Sequence, residues 1–102
     1  MVFYVISYTL KDQDLWKEHE AVADRAIKLL NEFDGVKDVQ YFYVVVGETR
    51  WKRYFLVEMD SMGIRDRFFE KNELVETLRE LTSFSDPSTH TDMFWEKAPT
   101  LY

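Results

Sequence analysis

The sequence has no cysteine, and its 3 glycines and 2 prolines occur singly. The lack of cysteine excludes a disulfide framework, thiolate metal sites and cysteine nucleophiles. Because glycine and proline are never clustered, neither a linker that would divide the chain nor a glycine-rich phosphate loop is present. We therefore expect residues 1–102 to form a single domain.

Long apolar runs and an excess of basic residues are also missing. No run of about 18 apolar residues occurs, so we expect no transmembrane helix, and the N-terminal residues lack the features of a signal peptide, which favours a cytoplasmic protein. The 13 Lys and Arg residues against 19 Asp and Glu give a net charge of −6. Nucleic acid is a poor partner for such a chain. We interpret the local group Arg50, Lys52 and Arg53 as the solvated flank of a turn.

The first third of the chain predicts a strand followed by a helix. Residues 2–10 are rich in β-branched and aromatic types, which favours a strand. Apolar residues then recur at three- and four-residue steps, which predicts an amphipathic helix of about five turns. We expect Asp12 or Asp14 to cap its start and Gly35 to end it.

The remainder predicts a hairpin, a broken helix and a last strand. Residues 36–46 and 50–60 are apolar runs on either side of a short polar turn, as in a β-hairpin. The helical stretch that opens near Ser61 changes register before Asn72, so we expect a helix, a break and a shorter helix. Residues 92–97 predict a fourth strand.

The order β-α-β-β-α-β is the ferredoxin-like arrangement, an α+β fold in which two helices cover one face of a four-stranded antiparallel sheet. The opposite face of such a sheet is usually polar, yet both faces of this hairpin carry aromatic and β-branched residues. We therefore predict a homodimer in which two copies pack sheet to sheet as a barrel. The apolar chain end, Leu101 and Tyr102, predicts an arm that docks on this dimer, with a disordered tail as the alternative. The sequence leaves open which sheet face packs on the helices.

Three segments of the chain are distinctive: RYFLVEMDS, FFEKNELVETLREL and MFWEKA. They resemble the dimeric α+β-barrel superfamily, which includes antibiotic-biosynthesis monooxygenases, muconolactone isomerases and rhamnose mutarotases. The resemblance implies the homodimeric barrel but no single activity, since this scaffold has many chemistries. Haem-degrading members carry a histidine on the second helix, and none occurs between Ser61 and Ser83. We therefore reject haem and expect no cofactor.

His19 is the first candidate for catalysis. It lies in the apolar stripe of the first helix, so its imidazole should face the sheet, where it can exchange a proton near pH 7. Rhamnose mutarotases place an acid-base histidine at a similar distance before the glycine that ends this helix, which implies the same role for His19. Leu15 stands where their pattern has a tyrosine. The alternative is a structural histidine that hydrogen-bonds a buried partner.

Glu58 and four aromatic residues are further candidates. A carboxylate between apolar neighbours can have a raised pKa and act as a general acid or base, although pairing with a nearby Arg or Lys is the structural alternative for Glu58. Aromatic side chains suit a pocket for a flat or apolar ligand, but they also pack dimer interfaces. The ligand-binding candidates are Trp16, Tyr41, Tyr43 and Tyr54.

Ser88, His90 and Asp92 have the residue types of a nucleophilic triad. Alternate residues of one extended segment stand roughly 7 Å apart at Cα, and there is no nucleophile elbow, so we do not predict a triad. A metal site formed by His90 with Asp86 or Asp92 would need clearer ligands. We favour a polar loop and expect no metal.

Two functions stay open. The first is a cofactor-independent monooxygenase-like or isomerase/mutarotase-like enzyme, which binds a small organic ligand between helices and sheet and uses His19 as acid or base. The alternative is a non-enzymatic homodimer that binds a ligand or has a structural role. A pocket into which His19 projects would favour the enzyme, and a filled core around His19 would favour the alternative.

Overall fold

Four strands form one antiparallel sheet in the computed structural model, which describes residues 1–44 and 51–98. The strands are β1 (Val2–Thr9), β2 (Val36–Tyr43), β3 (Lys52–Met59) and β4 (Thr91–Glu96). Their order in the sheet is β2-β3-β1-β4, and each neighbouring pair is antiparallel. The two edge strands are therefore β2 and β4. This is the predicted ferredoxin-like α+β fold.

Three α-helices accompany the sheet. They are α1 (Trp16–Asn31), α2 (Gly63–Arg67) and α3 (Asn72–Thr82). Short 3-10 turns at Gln13–Leu15, Phe68–Glu70 and Pro87–Thr89 precede α1, join α2 to α3 and precede β4. The side chain of Asp12 accepts a hydrogen bond from the backbone N–H of Asp14, at 3.0 Å, and so caps the 3-10 turn before α1. The capping position of α1 itself is Leu15, which makes no side-chain hydrogen bond, so neither Asp12 nor Asp14 caps α1 as predicted.

The break in the second helical stretch is confirmed, but its predicted proportions are wrong. The first helix, α2, has 5 residues and the second, α3, has 11. Lys71, with extended backbone angles, occupies the capping position before α3, and Asn72 is already helical. The register change therefore marks the start of the main helix.

Gly35 has the left-handed backbone that a helix-ending glycine often adopts, with φ of 99°. The helix itself ends earlier, at Asn31, and a short turn separates it from Gly35. A Cβ atom at this position would lie 2.5 Å from Cδ1 of Ile64. The backbone conformation therefore favours glycine here, and a larger residue would also have to displace the side chain of Ile64.

Successive side chains of β1 and β3 point alternately to the two faces of the sheet, so every second residue meets the helices. On β1 and β3 the helix-facing side chains are buried in one core with residues of α1 and α3. They are Val2, Tyr4, Ile6, Tyr8, Phe55, Val57 and Met59. On β2, Tyr41 stacks on Phe55 at 4.5 Å between ring centroids and so shares this face, whereas Phe42 lies on the other. The structure thus settles the orientation that the sequence left open.

In the part of the chain that the structure describes, no helix covers the opposite face, which we call the open face. Its large apolar side chains are partly or largely exposed: Phe3, Phe42, Tyr54, Leu56, Met93 and Trp95. The predicted hairpin turn and the apolar chain end lie outside the described residues. Within residues 1–44 and 51–98, no helix has the length and apolar character needed to cross a membrane.

Candidate functional site

Arg53 is buried on the helix-facing side of β3, in line with Phe55 and Val57. The interpretation of this residue as the solvated flank of a turn is therefore wrong. A buried guanidinium requires an anionic partner to offset its desolvation. That partner is Glu20 on α1, whose Oε1 accepts a hydrogen bond from Nε of Arg53 at 3.0 Å.

Glu20 is the centre of a polar network that we call the Glu20 cluster, which consists of Tyr8, His19, Glu20, Tyr41 and Arg53. Besides Arg53, the hydroxyl of Tyr41 donates to Oε1 of Glu20 at 2.9 Å. Nδ1 of His19 lies 3.1 Å from the same oxygen. One carboxylate oxygen thus holds groups from β2, β3 and α1 together.

His19 has an exposed fraction of 0% and uses both ring nitrogens. Because a carboxylate only accepts, Nδ1 carries the proton that is donated to Glu20. Nε2 then accepts from the hydroxyl of Tyr8, at 2.6 Å. The edge of the ring also contacts Phe84, with 5.6 Å between centroids. His19 is therefore sealed among partners that satisfy it completely.

The charges of the Glu20 cluster balance at neutral pH. Burial lowers the pKa of His19, so its imidazole is neutral, although Glu20 opposes the shift. Burial raises the pKa of Glu20, but hydrogen bonds from Tyr41, His19 and Arg53 outweigh it and hold that pKa below its ordinary value. Burial also raises the pKa of Tyr8 and Tyr41. One carboxylate and one guanidinium are left as the charged groups.

A second network, which we call the Asp92 cluster, lies at the β4 edge and consists of Tyr4, Arg65, His90 and Asp92. Oδ2 of Asp92 accepts from the hydroxyl of Tyr4 at 2.9 Å and from Nη2 of Arg65 at 3.4 Å. Oδ1 of Asp92 lies 2.9 Å from Nε2 of His90. Side chains two residues apart on one extended segment thus meet, despite their separation at Cα.

The Asp92 cluster does not include Ser88, the third residue of the triad considered from the sequence. The hydroxyl of Ser88 donates to Asp86, at 2.8 Å, instead of reaching His90. The ring of His90 stacks on Tyr8, with centroids 6.0 Å apart and planes within 2°. The two clusters are therefore in contact through Tyr8. Among the residues that the structure describes, no group of three or more His, Asp and Glu side chains is placed to hold a metal ion.

A cavity of about 310 Å³ lies beside the Asp92 cluster, between the sheet and the segment from α2 to α3. Its apolar wall is formed by Phe68, Phe69, Val75 and Leu78. Its polar lining comes from Tyr4, Arg65, Arg79 and Thr82. Burial raises the pKa of Tyr4 to about 12, so the hydroxyl stays protonated at neutral pH. The volume falls at the small end of the range for ligand pockets.

The predicted site residues do not converge on this cavity. His19 and Tyr41 meet in the Glu20 cluster, and Arg53 stacks over the half-exposed ring of Tyr43, 5.0 Å from its centroid. Trp16 is exposed at the start of α1, with Nζ of Lys17 5.6 Å from its ring centroid.

Glu58 and Tyr54 lie on the open face, so the sheet separates them from His19. Glu58 faces Phe3 on one side and Asp38 on the other, and Lys52 lies over the Tyr54 ring at 5.4 Å. The catalytic and ligand-binding roles of all the predicted residues stay predictions.

Both clusters contain residues that sequence reasoning missed. Arg53 could have been found, because the other residues on the same face of its strand are apolar. A charged residue in such a row is buried with them and needs a partner. Glu20 follows His19 directly, but a charged residue beside the apolar stripe of a helix is expected on the solvent side. Nothing local in the sequence pairs Tyr4 or Arg65 with Asp92, since β4 comes next to β1 only in the folded sheet.

No protein-family model and no curated protein matches the sequence. Solved structures match the fold over almost the whole chain. One is described as an antibiotic biosynthesis monooxygenase, with a TM-score of 0.80 and 8% identity over 97% of this chain and 100% of the other. The Arabidopsis thaliana protein At3g17210 has a TM-score of 0.81 and 14% identity over 100% of both chains. SnoaB, a cofactor-independent oxygenase from Streptomyces nogalater, has a TM-score of 0.74 and 14% identity over 98% of this chain and 95% of its own.

The chain therefore has the fold of the antibiotic biosynthesis monooxygenase structures, which is the fold that its sequence segments indicated. At these identities the likeness establishes the fold alone. What the protein does has to be argued from its own residues.

Proposed function

We propose that this chain is a homodimeric protein that binds a small organic ligand in the cavity between the sheet and α2–α3, with cofactor-independent monooxygenase-like chemistry as its activity. The observation that carries the proposal is the cavity itself. It combines an apolar wall with the hydroxyl of Tyr4, which Asp92 holds in place at 2.9 Å. The description of SnoaB as a cofactor-independent oxygenase supports the choice of reaction class.

The chemistry that we propose is removal of a proton from the bound ligand. The ligand donates its acidic proton to the oxygen of Tyr4, while the hydroxyl proton of Tyr4 passes to Oδ2 of Asp92. Asp92 is 35% exposed at its side chain and can release the proton to water. Arg65, whose guanidinium lies 5.0 Å from the Tyr4 ring centroid, stabilises the negative charge that develops. The resulting electron-rich ligand anion is the species that would react with dioxygen.

In this proposal His19 has a positioning role. Both of its nitrogens are engaged and none of its surface is exposed, so it holds Tyr8 and Glu20 instead of meeting the ligand. Glu58 and Tyr54 belong to the dimer interface because they lie on the open face. Tyr4 and Asp92 take the acid-base role that the sequence suggested for His19.

A pair of leucine variants tests the cavity. Leu78 lines it, whereas Leu29, a partly buried leucine on α1, lines a different groove. The protein expressed in its own host should carry a co-purifying ligand by native mass spectrometry. Leu78→Trp should lose that ligand because the indole fills the cavity, and Leu29→Trp should retain it. Loss from neither variant, or from both equally, would contradict a ligand site in this cavity.

The open face carries the dimer proposal. Phe42, Met93 and Trp95 are 48%, 41% and 43% exposed in the single chain, so this face presents large apolar side chains that a second copy would cover. We expect a dimer by light scattering at micromolar concentration. Phe42→Lys should dissociate it, while Tyr43→Lys, on the other face of the same strand, should not. Both residues are about half exposed, so neither lysine should unfold the protomer.

Non-enzymatic ligand binding is the alternative function. The observation in its favour is the sealed position of His19, which removes the acid-base group that the sequence offered. A ligand that binds wild type and Leu29→Trp but is recovered unchanged, with no oxygen consumed, would favour this alternative. If Tyr4→Phe instead lowers oxygen consumption by roughly 10²-fold or more, the enzymatic proposal stands.

A further inference from the structure

Arg79 is a second cation at the same cavity. It projects from α3 among the lining residues that include Leu78 and Thr82. Within residues 1–44 and 51–98, the structure gives its guanidinium no carboxylate and no side-chain hydrogen bond. The next residue, Glu80, is paired elsewhere, with Nη2 of Arg25 at 3.1 Å from its Oε2.

The other polar groups of the lining are already engaged. The hydroxyl of Tyr4 and the guanidinium of Arg65 both donate to Oδ2 of Asp92. The hydroxyl of Thr82 donates to the backbone carbonyl of Arg79, at 3.2 Å. Among the described residues that line the cavity, Arg79 is therefore the cation that has no carboxylate partner, whereas Arg65 is paired with Asp92.

An arginine next to an apolar wall favours a particular kind of ligand. Its planar fork of N–H donors matches a carboxylate in a bidentate pair, which is stronger and more directional than a neutral hydrogen bond. Phe68, Phe69, Val75 and Leu78 supply the surface for an apolar body. Asp92 already offsets the charge of Arg65, so Arg79 supplies most of the attraction for an anion.

We infer that the ligand of this cavity is a small apolar molecule that carries one carboxylate, which Arg79 binds, with Arg65 as the second and weaker contact. The inference rests on the proposed function, because it names the class of ligand for the same cavity. It assigns Arg79 a specificity role that is separate from proton removal at Tyr4.

Two probes of equal shape test the inference: naphthalene-2-carboxylate and naphthalene-2-carboxamide. Isothermal titration of the full-length wild type should show the carboxylate binding about tenfold to a hundredfold more tightly than the carboxamide. Arg79→Gln should reduce the affinity for the carboxylate to that for the carboxamide and leave the carboxamide unchanged. The matched control is Arg67→Gln, since Arg67 is on the neighbouring helix but pairs with Glu70, at 3.8 Å, and does not line the cavity.

The possible outcomes separate this inference from the proposed function. Equal binding of both probes to wild type, abolished for both by Leu78→Trp, would overturn the carboxylate preference and leave the cavity as a ligand site. A preference that survives Arg79→Gln would overturn the role of Arg79. If neither probe binds at millimolar concentration, both the inference and the proposed ligand site fail.

Discussion

The Glu20 cluster and the Asp92 cluster are two versions of one arrangement on the helix-facing side of the sheet. In each, a carboxylate accepts a hydrogen bond from a tyrosine hydroxyl, pairs with an arginine and lies against a histidine. They differ in exposure. The side chains of Arg53 and His19 are 5% and 0% exposed, whereas Arg65 and His90 are 35% and 29% exposed.

Position in the sheet explains this difference. The Glu20 cluster lies between α1 and the strands β2, β3 and β1, where Arg53 and His19 are buried and the side chain of Glu20 is 28% exposed. The Asp92 cluster is on an edge strand, β4, and the cavity beneath α2–α3 lies next to it. A sealed network holds the fold together because any lost partner leaves a buried polar group unsatisfied. An open network can exchange one of its partners for a ligand without such a loss.

The two clusters should differ most in the free energy of unfolding that is lost when each carboxylate is changed to its amide. Glu20→Gln should lower the free energy of unfolding by about 3 kcal/mol, because the buried guanidinium of Arg53 loses its charged partner. Asp92→Asn should cost no more than about 1 kcal/mol, since its ion pairs are partly exposed. Urea unfolding followed by circular dichroism measures both. Equal losses for the two variants would show that the clusters do not differ in this way.

Removing the histidine of each cluster should give a smaller difference in stability. His19→Ala removes a fully buried ring and the partner of the Tyr8 hydroxyl, so we expect a loss of about 2 kcal/mol. His90→Ala removes a ring that is partly exposed, and we expect less than about 1 kcal/mol. Thermal and urea denaturation check this order. A loss for His90→Ala as large as that for His19→Ala would argue that the Asp92 cluster is structural.

Lowering the pH should reduce the folding stability mainly through the Glu20 cluster. Burial lowers the pKa of His19 in the folded state, so the unfolded chain takes up this proton first as the pH falls below the ordinary value of 6.5. The stabilisation from neutral His19 is thus complete above that value and is lost below it, until the folded pKa is reached. Glu20 acts in the same direction, since its folded pKa is lowered and its stabilisation is lost as the pH falls below the ordinary value of 4.5.

The pH dependence can be divided between the two steps by mutation. Unfolding free energies measured from pH 7.5 to pH 4 should fall by about 1 kcal/mol or more in wild type. His19→Gln should flatten the part that begins below pH 6.5. A slope unchanged in His19→Gln would show that another group titrates there.

Much of the fold could be predicted from the sequence because its signals are local. Residues close together in the chain specify each element. Examples are the β-branched and aromatic residues of β1, the three- and four-residue spacing of apolar residues in α1 and the change of register near Asn72. Predictions failed where the outcome depended on distant partners. The lengths of α2 and α3 were reversed, and Arg53 was placed in solvent, because neither packing against α1 nor the approach of Glu20 is visible along the chain.

The candidate site shows the same limit more sharply. His19 was correctly placed on the inner face of α1, but a histidine in an apolar stripe is compatible with a pocket or with a sealed core. Only the tertiary structure decided for the sealed core, by bringing the Tyr8 hydroxyl and the Glu20 carboxylate to its two nitrogens.

The sequence by itself determined the order of elements, the ferredoxin-like topology and the apolar character of both sheet faces, since these follow from residue periodicity and local backbone preference. The tertiary structure decided which face of the sheet the helices cover, which charges are buried and where a cavity remains. These depend on contacts such as that of Tyr4 with Asp92, 88 residues apart in the chain. Side-chain packing and hydrogen-bond geometry are fixed only when such distant segments meet.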